Sequence, residues 1–352
     1  MTLFEQTLDA ITEVDHAAAA ATQRLLDGKT KPRRSLGRLE DLACKVAAIQ
    51  GNPRPPLPTK AMVIMAGDHG VAQEGVSAYP PEVTWQMLLN FARGGAAINV
   101  LARQAGARLI VVDMGVNGPA ESIPGVVSRW IAGGTQNITH GPAMTVDQAI
   151  LALEHGIAIA QELASTGVDL IGIGEMGIGN TTAATALAAA FTGRPAKEIA
   201  GRGTGIDDAT FVRKVAAIDK ALAVNPPAGK TALQVLAALG GFEIAGLAGV
   251  VLGAASRKVP VLLDGFIAST AALCAAKLAP RAAGYVIASH RSVEIGHTVV
   301  LEALGCEPLF DLAMRLGEGT GAALAMPMVD AALHLLHEMA TFESAQVTDT
   351  GK

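Results

Sequence analysis

Five short apolar runs, each ending in a glycine or a polar residue, constrain this chain more than any other feature. They are KAMVIMAG (60–67), RLIVVDMGV (108–116), VDLIGIG (168–174), VPVLLDG (259–265) and AAGYVIASH (282–290). Each is too short for a buried helix and too uniformly apolar for a strand with one wet face. They read as parallel strands covered on both sides, and the segments between them carry helical periodicity. Those helices are expected over 82–92, 94–105, 146–165, 181–191, a stretch bearing Lys214, 233–238, 243–254 and 267–276. A β-loop-α rhythm of this kind predicts an α/β fold, a mostly parallel sheet with helices on both faces. No repeat of fixed period is visible.

The ends of the chain read differently. Residues 3–27 are expected to form one helix and 36–50 another, and the proline-rich GNPRPPLP (51–58) forbids regular structure before the first strand. The tail from Ala322 to Glu338 is again helical in period, interrupted at Pro327. Residues 117–145 read as loop. Half of the 352 residues are apolar and 17% are charged, enough to bury a large core. Aromatics are only 3%, so that core is built from aliphatic side chains.

A net charge of -5 gives no footprint for nucleic acid or an anionic membrane. The one basic run, KTKPRR (29–34), reads as a solvated loop or a phosphate contact. No apolar run reaches the eighteen or so residues of a membrane span. The N-terminus, with four acids and no basic region, does not read as a secretory signal. Three well-separated cysteines, Cys44, Cys274 and Cys306, suit reduced thiols in a cytoplasmic protein.

Chemistry is expected where the strands end, because ligands of open α/β sheets bind along that edge. The third run enters GIGEMGIGNTT (172–182), a literal GxGxxG. A dinucleotide site would need a following helix and then a strand ending in an acid about 20 residues on, and TGRPAKEIAGRGTG (192–205) is not a strand. Glu175 among the glycines, with Gly177, Asn180 and Thr181 at the next helix start, better suits a ribose or phosphate at a helix N-terminus. Gly203 and Thr204 ahead of Lys214 offer a second phosphate contact, and Ser292 in the loop after the fifth run offers another. Asp68 and His69 could be an acid/base pair, a metal pair or turn residues. Tyr79 and Trp85, close in sequence, suggest a flat wall or ordinary packing. The stretch RLGEGTG (315–321) sets a single carboxylate, Glu318, among three glycines just before a helix, with Leu316 and Gly319 beside it.

Taken together, AGDHG (66–70), GIGEMGIGNTTAA (172–184), GRGTGID (201–207), LLDGFIAS (262–269), SHRSVEIGH (289–297), RLGEGTGAALA (315–325) and KPRRSLGRLEDLA (31–43) resemble one family over nearly the whole chain. That family is nicotinate-nucleotide:dimethylbenzimidazole phosphoribosyltransferase, of cobalamin lower-ligand assembly. The resemblance implies transfer of the 5-phosphoribosyl group of nicotinate mononucleotide to 5,6-dimethylbenzimidazole, giving α-ribazole 5'-phosphate and nicotinate. It implies a homodimer without cofactor or metal, a Rossmann-like large domain (59–321) and a small helical domain from both chain ends (1–50 and 322–352).

By the same resemblance Glu318 is the catalytic base and Glu175 the second acidic site residue. It puts Lys214 on the phosphate side and Tyr79 and Gln86 at the acceptor base, with Ala78 where some members carry a serine. Beside these, Gly177, Asn180, Thr181, Gly203, Thr204, Ser292 and Gly319 are our candidates for the nucleotide and its phosphate, and Leu316 for the acceptor base. Two readings of other classes are an NAD-dependent oxidoreductase and a nucleotide sensor without turnover.

Overall fold

The structure, a computed structural model, describes residues 1–119, 123–203 and 205–349. Three helices come first: α1 (Leu3–Ala10), α2 (His16–Asp27) and α3 (Arg38–Gln50). The first half of the α/β body is β1 (Lys60–Gly67), α4 (Glu82–Arg93), α5 (Ala97–Gln104), β2 (Arg108–Gly115), β3 (Val126–Ser128), α6 (Val146–Ser165) and β4 (Leu170–Met176). The helix α7 (Asn180–Thr192), the single turn α8 (Ala196–Ile199), α9 (Asp208–Val224), α10 (Ala232–Leu239) and α11 (Phe242–Ser256) follow. The chain closes with β5 (Val261–Leu263), α12 (Phe266–Leu278), β6 (Val286–Ala288), α13 (Ile295–Leu304), α14 (Thr320–Glu338) and α15 (Phe342–Ala345).

All six strands pair in parallel, in the order β3-β2-β1-β4-β5-β6. This is the doubly wound nucleotide-binding order, whose switch point lies between β1 and β4. Strand β1 sits at the centre and is buried from Ala61 to Gly67. Side chains alternate across it. Met62 and Ile64 point to the face where Gly319 and Met326 of the α14 segment lie, while Met65 points to Gly246 of α11 on the other. Helices therefore cover both faces, as the apolar runs predict.

On the α11 face the backbones themselves touch. A Cβ at Gly156 of α6 would land on the Gly246 carbonyl, one at Gly249 on that of Leu153, and one at Gly253 would stand 2.8 Å from that of Ile157. The small side chains of GLAGVVLGAAS (246–256) thus let α11 lie directly on α6, which explains a helix buried almost all round. On the opposite face Gly174 has the same role in β4. A Cβ there would land on Gly319 and lie 2.6 Å from the Glu318 carbonyl carbon. Two glycines of the literal GxGxxG, Gly172 and Gly174, are thus strand residues that make room for α14 and the loop before it.

The helical reading of 3–27 is corrected: the chain breaks at Ile11, and Asp15 caps α2 by accepting from the amides of Ala17 and Ala18 at 2.9 and 3.0 Å. The last strand is only Val286–Ala288, preceded by a 3-10 turn, and the loop after Asn117 contains β3. Helix α13 has no counterpart in the sequence reading. Helix α14 runs unbroken through Pro327.

The two chain ends are sewn together. Lys29 Nζ donates to the Met339 carbonyl at 2.6 Å, Thr30 N to Ala340 O at 3.0 Å, and Phe342 N to Gly28 O at 3.2 Å. Buried Lys31 pairs with Glu40 at 2.7 Å, and α14 packs on α2 and α3 as well as on β4 and β5.

The strand-to-loop contact is open to a direct check. Gly174→Ala should cost about 1–3 kcal/mol by overpacking, read as a lower midpoint in urea unfolding. An unchanged midpoint would mean the loop can retreat freely from β4.

Candidate active site

The exits of β4, β5 and β6 converge on one pocket of about 690 Å³, counted with its opening to solvent. Its floor is the end of β4 with Glu175, Met176 and Gly177; its walls are Asn180 and Thr181 of α7, Gly265 to Ile267 at the start of α12, and His290 and Ser292 after β6. Arg315, Leu316, Gly317 and Glu318 close it from above. Four helices begin at this rim: α7 after Gly179, α12 after Gly265, α13 after Glu294 and α14 after Gly319. The positive ends of their dipoles gather near one volume, an arrangement suited to an anionic group such as a phosphate, although at α14 the Gly319 and Gly321 amides are taken by Asp264.

The acids at this rim are unusually deep. Glu175 is 7% exposed, and its Oε2 accepts from the Asn180 amide nitrogen. Burial, with the charges of Asp264, Glu243 and Glu318 near it, pushes its carboxyl up to about 8. Glu318 is equally buried, and one of its oxygens, Oε2, has no hydrogen-bond partner. Burial raises its pKa, the backbone amide of Ile98 at the start of α5 opposes this, and the charge of Asp264 adds to it. The residue sits at φ 60° between Gly317 and Gly319, both at φ 83°. Three left-handed residues in a row turn the chain sharply over β4, and only Glu318 among them bears the strain of a Cβ there.

Of the residues expected to meet, Glu175, Gly177, Asn180, Thr181, Gly203, Ser292, Leu316 and Glu318 line this pocket. Gly319 lies just behind it, its amide donating to Asp264 Oδ2 at 2.9 Å. Lys214 stands behind the 201–203 loop, 2% exposed, with Nζ donating to the Gly201 carbonyl at 3.0 Å. Burial lowers its pKa to about 8, and Glu294 partly opposes this. Thr204 lies outside the described residues. Tyr79, half exposed in the turn before α4, and exposed Gln86 on α4 are not among the lining side chains. Helix α4 nevertheless runs beside the rim, since Thr84 Oγ1 accepts from the amide of lining residue Ile178 at 3.1 Å.

Asp68 and His69 do not converge. Asp68 Oδ2 accepts from the Asn117 amide at 2.7 Å, whereas His69 Nε2 pairs with Glu243 Oε1 at 2.6 Å, both residues almost fully buried. His69 packs beneath Gly177 and Gly179, so the pair supports the β4–α7 loop. Among the described residues no group of three or more potential ligands could hold a metal ion, and no helix is long and apolar enough to cross a membrane.

Sequence reasoning passed over Asp264, His290, Glu294, Arg315 and Glu243. The first two stand at strand exits, a signal it had noted without assigning roles. Glu294 gave none beyond its place beside Ser292, and Glu243 gave none beyond being an acid in an apolar stretch.

A family model described as Phosphoribosyltransferase matches residues 11–347. The nicotinate-nucleotide–dimethylbenzimidazole phosphoribosyltransferase of Chloroflexus aggregans is 56% identical over 349 residues, covering 99% of each chain. That of Geobacter metallireducens is 52% identical over 347 residues, covering 99% of this chain and 98% of its own. The crystal structure of CobT from Thermus thermophilus superposes with a TM-score of 0.90 at 47% identity, covering 94% of this chain and 99% of that one.

The raised pKa of Glu175 has a consequence for stability. A carboxyl whose folded pKa exceeds its unfolded value stabilises the fold at low pH, and that contribution is lost as pH rises from about 4.5 to about 8. Glu175→Gln removes the loss. The variant's melting temperature should exceed that of the parent more at pH 9 than at pH 4, and a difference independent of pH would contradict the buried-acid account.

Proposed function

The chain belongs to the nicotinate-nucleotide–dimethylbenzimidazole phosphoribosyltransferase family, and from that premise we propose how its residues divide the reaction. The enzyme moves the 5-phosphoribosyl group of nicotinate mononucleotide to a benzimidazole, releasing nicotinate. The observation that carries the reading is Glu318, a buried carboxylate with an unpartnered oxygen at a pocket ringed by four helix N-termini.

Displacement at the anomeric carbon passes through a loose, oxocarbenium-like state, so the protein has little covalent work to do. The C1'–N bond to nicotinate breaks, and its electron pair neutralises the pyridinium nitrogen, so this leaving group needs no acid. One nitrogen of the neutral benzimidazole forms the new bond from the opposite face, inverting β to α. Its other nitrogen then carries a proton that must be lost. Glu318 accepts it: burial raises its pKa, which makes its carboxylate a stronger competitor for that proton. Glu175, holding its own proton at neutral pH, is suited to hydrogen-bond a ribose oxygen.

The 5'-phosphate falls to the helix starts, with Thr181, Gly203, Ser292 and Lys214 around it. A phosphate beside Lys214 would return its pKa toward the ordinary lysine value, because a neighbouring anion favours the ammonium form. Leu316, 58% exposed at the pocket mouth, offers an apolar surface to the flat acceptor, with Tyr79 arriving from the turn before α4 and Gln86 from α4 itself. We read the small helical domain as residues 1–50 with 322–352, the assembly as a homodimer, and the compartment as cytoplasmic, in keeping with three free thiols.

Incubation with nicotinate mononucleotide and 5,6-dimethylbenzimidazole should release nicotinate and a ribosylated base, followed by chromatography. Glu318→Gln should keep the fold and substrate binding and lose about a hundredfold or more in turnover; near-normal turnover ends the assignment. Lys214→Ala should raise the KM for nicotinate mononucleotide, and an unchanged KM would remove Lys214 from the phosphate site. Reduction or retention of NAD would instead favour an oxidoreductase, and binding without turnover a sensor.

A further inference from the structure

Glu318 occupies a backbone conformation that costs a non-glycine residue about 1 kcal/mol or more, and something must hold it there. Asp264 leaves the end of β5 and is 1% exposed. Each of its carboxylate oxygens accepts one amide from the start of α14: Oδ2 from Gly319 N at 2.9 Å and Oδ1 from Gly321 N at 2.7 Å. The two amides flank Thr320, so a single buried side chain fixes both the first turn of α14 and the residue following Glu318. Asp264 is not among the side chains lining the pocket.

We propose that Asp264 is the positioning residue for Glu318, a two-oxygen clamp on the loop that aims the base into the pocket. This rests on the reading of Glu318 as the base. Two further observations support it. Gly321 is packed so tightly that a Cβ there would land on His290 Cδ2 and lie 2.8 Å from Asp264 Oδ1, leaving the clamp no slack. His290 faces Asp264 from the exit of β6, with Nε2 3.5 Å from Oδ1, and its ring is stacked on Phe310 and edge-on to His297. His297 itself stays neutral, burial pushing its pKa down to about 3, with Nδ1 accepting from the Ser292 amide at 3.0 Å.

The clamp also has an electrostatic side. The titratable groups facing it are Glu318, Glu175 from β4 with Glu243 of α11 beyond it, and the rings of His290 and His297. The negative charge of Asp264 raises the pKa of both Glu175 and Glu318. The residue that fixes the loop thus also adds, after burial, to the raised pKa of the base.

The test is a double-mutant cycle on the full-length protein, assayed with nicotinate mononucleotide and 5,6-dimethylbenzimidazole. Asp264→Asn keeps one acceptor and turns an amide NH2 toward a backbone N–H. It should lower kcat by about 10- to 100-fold, the scale of a misplacement near 1 Å, with the KM for nicotinate mononucleotide within about twofold. The acidic limb of the kcat–pH profile should move to lower pH, because a charge that raised the pKa of Glu318 is gone. In a Glu318→Gln background the same change should cost less than about twofold, since both act through one base.

Should Asp264→Asn turn over normally while Glu318→Gln is dead, or should the two losses multiply, the clamp is overturned and the base survives. Should Glu318→Gln turn over normally, the base itself falls, and the clamp with it. If Asp264→Asn fails to fold, Gly321→Ala perturbs the same clamp from the other side while keeping the carboxylate. It should reproduce the kcat-selective loss, and a normal kcat there overturns the proposal.

Discussion

A cluster of buried carboxylates around the ends of the parallel strands, four of them near the pocket, forms the constraint on which the rest of this structure turns. Glu175, Glu243, Asp264 and Glu318 are each at most 7% exposed, and they are close enough for Asp264, Glu243 and Glu318 to raise the pKa of Glu175. Burying one ionised acid without compensation is expensive, and burying four together is more so. Each has a different remedy. Glu243 has the His69 ring, Asp264 has two backbone amides, Glu318 has the start of α5, and Glu175 keeps its proton. The fold supplies these remedies cheaply because parallel strands end where helices begin, so acids at the strand exits meet helix N-termini.

Close backbone contact makes that geometry rigid. The loop carrying Glu318 can cross β4 only because Gly174 has no side chain, and β4 stays fixed because α11 lies backbone to backbone on α6 beneath the sheet. Residues far from the pocket thus set where a carboxylate points inside it. The strain at Glu318 is tolerated in the same way: β4 pressed against its backbone at Gly174 and the hydrogen bond at Gly319 hold the left-handed turn in place.

The sheet was legible in the sequence because its strands are covered on both faces, which leaves runs such as KAMVIMAG with no polar alternation. Glu175, Asn180, Thr181, Ser292 and Glu318 were legible as pocket residues because position after a strand is itself a signal. Other features were hidden for definable reasons. Three-residue β3 has too little length to show a period, and α13 opens with Ile-Gly-His, which masks its apolar face. The role of Asp264 depends on amides 55 and 57 residues away, and that of Glu243 on a ring 174 residues away. Pairings of that kind carry no local pattern. The literal GxGxxG was legible but misleading, since its first two glycines answer to packing on Met62 and Gly319.

The seam between the chain ends bears on how the protein folds. Lys29 and Thr30 find their partners in Met339 and Ala340, and α2 and α3 pack on α14, the last long helix of the chain. Helices α2 and α3 are separated from α14 by nearly the whole α/β body, so joining them closes a loop of several hundred residues and carries the entropy cost of doing so. Contacts of such long sequence separation are slow to form, and the apolar surface shared by α2, α3 and α14 is complete only once the sheet between them is in place.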